Sequence, residues 1–100
     1  MKRQLLPSQQ RLLASLGDQI RLARLRRDLT SEQIAERAGI ARGTLIKIEH
    51  GDEGVAMGSY FRVLLALGLG NDIQLLAKDD ELGRKLQDAQ LEVKERASKK

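Results

Sequence analysis

The stretch that decides the fold is Leu29-Thr30-Ser31-Glu32-Gln33-Ile34-Ala35-Glu36-Arg37-Ala38-Gly39-Ile40-Ala41-Arg42-Gly43-Thr44-Leu45-Ile46-Lys47-Ile48-Glu49-His50-Gly51. It opens with a capping box: Thr30 can accept from the third helical amide while Gln33 reaches back to the amide of the cap. The helix that follows, Ser31 to Ala38, sets Ile34, Ala35 and Ala38 on one face. Gly39 then stands where a left-handed residue would stop it. Two residues later a second short helix, Arg42 to Glu49, turns Leu45 and Ile48 inward and leaves Arg42, Gly43, Ile46 and Lys47 outside. Ile40 helps anchor it, and Ala35 is small enough for the two helices to cross closely. Two short helices joined by a tight glycine turn make a helix-turn-helix, whose second helix enters the major groove by its amino-terminal end.

Working outward, apolar residues Leu12/Leu13, Leu16, Ile20 and Ala23 recur at helical spacing between about Ser8 and Arg27, with Gly17 as a candidate break. Downstream, Gly51 and Gly54 bracket a turn. A fourth helix, roughly Met57 to Leu67, should bury Phe61, Leu64 and Leu67 before Gly68 and Gly70 end it. After the short apolar segment Ile73–Leu76, a fifth helix is expected from Asp80 to about Ala97, its start suited by Asp79, Asp80 and Glu81. Its stripe of Leu82, Leu86, Ala89 and Val93 either folds back over the core or forms a partner or dimer surface.

Composition supports an all-α chain. Leu, Ala, Arg, Gln and Glu favour helices, and Pro7 is the one proline in 100 residues. Only Tyr60 and Phe61 are aromatic, few for a β-sandwich or barrel. The absence of cysteine excludes disulfides, thiolate metal sites and cysteine nucleophiles. No apolar run approaches the ~18 residues of a membrane span, and the start lacks the apolar core of a signal peptide. The expectation is a soluble cytoplasmic protein, nucleoid-associated when on DNA, with no cofactor and no metal. The sequence also lacks a paired-carboxylate cleft, a phosphate-cradling glycine loop and a nucleophile–base signature, so no enzyme is expected. Charge is unevenly placed. Residues 1–51 hold ten Lys/Arg against five Asp/Glu, a net of +5, and residues 52–100 hold eight against nine, a net of −1. A basic half points to a polyanion, or to no more than a solvated face.

The quoted stretch, with Ala35, Gly39, Ile48, Glu49 and Gly51 in register, resembles the XRE (lambda repressor/Cro-like) helix-turn-helix family over roughly residues 13–70. The resemblance implies a five-helix DNA-binding domain, residues 8–70, followed by a helical extension and basic tail, residues 71–100. It implies a homodimer on double-stranded operator DNA. Base readout would come from Ala41, Arg42, Gly43 and Lys47, and phosphate contacts from Ser31, Thr44, Arg24 and His50. Arg24 and Glu49 would form a partly buried ion pair. Three positions depart from the family pattern: Gly43 where a polar reader is common, Ala41 in place of a Ser/Thr cap, and Ser31 in place of a glutamine. Residues 54–88 also look like a HipB-type antitoxin, a small repressor that binds a HipA-like Ser/Thr kinase toxin and controls its own operon. A standalone XRE-type regulator is the alternative.

Overall fold

Pro7 opens α1 (Pro7–Arg26) in the computed structural model, which describes residues 3–98, with side chains as far as Leu91. Proline suits this first helical position, since its missing amide would have no partner there. The Gln9 side chain accepts from the Leu6 amide at 3.0 Å and closes the start. The helix runs unbroken through Gly17. That residue is buried because α1 lies directly on the end of α3 (Arg42–Glu49). A Cβ at Gly17 would sit 2.5 Å from the Ile48 carbonyl oxygen and 2.7 Å from that of Glu49. Gly51 meets α1 from the other side: its φ is +72°, and a Cβ there would lie 2.5 Å from the Leu13 carbonyl oxygen. These two glycines set how closely α1 and α3 approach. Gln10 adds a hydrogen bond from Nε2 to the Gly51 carbonyl at 2.7 Å.

α2 (Ser31–Ala38) and α3 are short and could not persist alone. They are held by their caps and by burial. Ile34, Leu45, Ile48 and Val63 are the largest fully enclosed side chains, each adding roughly 1.5–3 kcal/mol of apolar burial. α4 (Met57–Ala66) completes the core by packing on α2. Its inner face is Tyr60, Val63 and Leu64, with Leu67 just beyond, and not Phe61, which is half-buried. The helix is therefore rotated from the expected phase, because the Tyr60 hydroxyl turns in to donate to the Asp52 carbonyl at 2.8 Å. In α1, Ile20 and Ala23 are buried while Leu12 is 76% exposed, so only the second half of the expected stripe faces the core.

The chain leaves α4 through Gly68 (φ +79°) into a 3-10 helix (Gly70–Leu75) that packs on α4. α5 (Glu81–Ser98) then starts at Asp80, whose Oδ1 accepts from the Gly83 amide at 3.1 Å. Among the described residues, α5 places no side chain in the core. The radius of gyration is 19.0 Å, against roughly 13 Å for a compact chain of this length. Leu82 and Leu86 remain 69% and 58% exposed, and Ala89 is exposed too. The side chain of Val93, the last residue of that stripe, lies outside the described residues.

Candidate nucleic-acid interface

Thr30 begins the site. Its Oγ1 accepts from the Gln33 amide at 3.1 Å, and the Thr30 amide donates to Gln33 Oε1 at 2.8 Å. Gly39 ends α2 at φ +71°, ψ 35°, a conformation that costs an L side chain about 1 kcal/mol or more. Its amide and that of Ile40 close the turn onto the Glu36 and Ala35 carbonyls. Ala35 and Ala38 are both buried, keeping α2 close to its neighbours.

This turn presents α3 with one side enclosed and the other in solvent. Leu45 and Ile48 are wholly buried, whereas Ala41, Arg42, Gly43, Ile46 and Lys47 are exposed. Ala41 caps α3 through its carbonyl, which accepts from the Thr44 and Leu45 amides, with no side-chain cap. Thr44 and Ser31 are half-buried at the edge of this face. Lys47 is exposed with no ion-pair partner among the described residues. His50 caps the far end, where its Nδ1 lies 2.8 Å from the Ile46 carbonyl oxygen. Apart from its chain neighbours and its own helix backbone, nothing lies within 4 Å of a Cβ added at Gly43, so the fold itself does not require glycine there.

Arg24 and Glu49 meet in the core margin. Nε donates to Oε2 at 2.7 Å, one terminal nitrogen to Oε1 at 3.0 Å, and the other to the Leu29 carbonyl at 2.9 Å. The two side chains are only 11% and 8% exposed. The hydrogen bonding to the Glu49 carboxylate raises the Arg24 pKa above its ordinary value, outweighing the opposing effect of burial. With all three nitrogens committed internally, Arg24 joins α1 to α3 and to the loop before α2, and has little left to offer a phosphate. Sequence spacing does not encode one further ion pair: Arg42 Nε lies 3.5 Å from Glu32 Oε1, across the turn from α3 to α2. The two stand ten positions apart in sequence, and only the angle between the helices brings them together.

The geometry defines a helix-turn-helix DNA-binding unit: a capped positioning helix, a left-handed turn, and an exposed helix that ends in an ion-paired anchor. Residues 15–72 match the family described as Helix-turn-helix domain, and the chain belongs to that family, which is of the XRE/Cro-like type. No curated protein matches the chain in sequence. Among the described residues, no helix is long and apolar enough to cross a membrane.

Proposed function

We propose that the chain is a sequence-specific repressor that binds double-stranded operator DNA as a homodimer. The observation that carries this is the two-sidedness of α3, with Leu45 and Ile48 wholly buried and Arg42, Gly43 and Lys47 in solvent. Arg42 reads guanine by pairing with O6 and N7, a contact worth about 1–3 kcal/mol of discrimination. Lys47, just over one turn further on, meets a base edge or phosphate. Ala41 and Gly43 let the helix sit deep in the groove, and Ser31, Thr44 and His50 contact the flanking phosphates. Residues 8–70 form the DNA-binding domain and residues 71–100 its helical extension. Each protomer addresses one half-site, with half-sites about one helical turn apart. Footprinting on the chain's own promoter tests the reading. Protection is expected to be lost in Arg42→Ala/Lys47→Ala, and unchanged affinity in that double variant would sink it.

The finer reading is a cytoplasmic HipB-like antitoxin that restrains a HipA-like kinase, with a standalone regulator as the alternative. The exposed Leu82 and Leu86 on α5 favour a protein partner for the extension, either this kinase or a second copy. A HipA-like coding sequence beside the gene, and kinase capture lost on deleting residues 79–100, are the expected results. A chain that represses but captures no kinase is the standalone regulator.

A further inference from the structure

We propose that Glu32 is a positioning residue that sets the base specificity of Arg42. The inference rests on the reading of Arg42 as a base-contacting residue. Glu32 lies in the first turn of α2, and its backbone is fixed by the capping box between Thr30, two residues before it, and Gln33, the residue after it. Arg42 is the first residue of α3, fixed by the Gly39 turn and by Leu45. Their side chains meet in solvent, 74% and 59% exposed, with Glu32 Oε1 facing Arg42 Nε at 3.5 Å. An exposed pair of this kind adds little to folding. It also places an anion beside the leading residue of the exposed helix, in the half of the chain that carries a net of +5 (ten Lys/Arg against five Asp/Glu). A phosphate-binding surface gains nothing from that anion.

The atom that is engaged explains its use. The closest approach of Glu32 is to Nε of the guanidinium, at 3.5 Å, and the two terminal nitrogens of Arg42 make no hydrogen bond among the described residues. Those two nitrogens form the fork that fits guanine O6 and N7. Restricting the plane of the guanidinium before binding lowers the ordering cost of the base contact. The same carboxylate repels phosphate, so an Arg42 that swings to the backbone loses its ion pair and brings Glu32 toward a like charge. Correct docking keeps the pair and wrong docking breaks it.

The test uses the full chain and the duplex it selects from a random pool. Affinity is measured for that duplex, for each single base-pair replacement and for an unrelated duplex, at one salt concentration. Arg42→Ala is expected to flatten the preference at one base pair. Glu32→Gln and Glu32→Ala are expected to lower the preference at that same pair by about fivefold to tenfold, in the range seen for residues of one network. Both should tighten binding to the unrelated duplex. Adding Glu32→Gln to Arg42→Ala should change base preference no further. If Arg42→Ala erases the preference while both Glu32 variants keep it, Glu32 does not position Arg42 and the base-reading role stands. If Arg42→Ala leaves every preference intact, or no duplex is selected, the base-reading role fails and this inference with it.

Discussion

Gly43 is a residue whose identity its own fold does not require. It is helical and exposed, and an added Cβ would meet open space. Alanine there should therefore stabilise the helix by about 1 kcal/mol, raising Tm by roughly 4–8 °C for a domain of this size. A calorimetric scan of Gly43→Ala checks this, and a fall in Tm would mean that the apparent space is occupied. Tyr60 makes the opposite case, a residue defined by the interior. Burial, and to a smaller degree the charge of Asp52, raises its pKa above the ordinary 10.0. The folded state thus prefers the protonated phenol. Its contribution is complete below the unfolded pKa and declines as pH rises through the folded one, so alkali should destabilise the domain. As the one tyrosine in a chain without tryptophan, its ionisation can be followed directly by tyrosinate absorbance. The midpoint should lie above 10.0 in the folded protein and fall to the ordinary value on unfolding.

Among the elements, the contact of α1 with α3 carries the most risk, because it combines close backbone approach with a nearly enclosed ion pair. Glu49→Gln would leave Arg24 charged and short of its counter-ion, at a cost of about 3 kcal/mol. Urea unfolding should show a lower midpoint with an unchanged slope; a loss below about 1 kcal/mol, the value of an exposed pair, would contradict the enclosure. Much of this level is readable in the sequence, since Thr30, Gln33 and Gly39 act on neighbours a few residues away and local spacing encodes their partners. Gly17 is different. Within its own helix it looks like a weakness, and its purpose lies in the carbonyls of Ile48 and Glu49, some thirty residues on. The phase of α4 escaped for a similar reason. Periodicity cannot choose between adjacent aromatics, and Tyr60 is drawn inward by a carbonyl in the preceding loop. The Glu32–Arg42 pair likewise depends on an interhelical angle that no spacing rule contains.

For the whole molecule, the question is what α5 is for. The core is built by α1 to α4, with the 3-10 helix packed on α4, and α5 adds no buried residue to it among those described. Among the described residues it carries two ion pairs, Lys85–Glu81 within the helix and Arg84–Asp79 to the segment before it, exposed pairs worth about 0.2–1 kcal/mol each. Such a helix has little to hold it in isolation, yet its stripe continues a run of exposed leucines that begins at Leu75 and Leu76. Removing it should therefore separate two properties. A chain ending at residue 78 should unfold at the same midpoint as the full chain at high dilution, because the core loses nothing. If the stripe joins two copies, the full chain alone should gain stability with concentration, by mass action. The truncated chain should then bind a single half-site with a shallower dependence on salt, since each phosphate neutralised adds about −0.9 to the slope of log K against log salt. Sedimentation and salt titration of both chains measure this directly. A truncated chain that unfolds earlier even at high dilution would show that α5 supports the core of its own protomer, and the exposed stripe would no longer imply a partner.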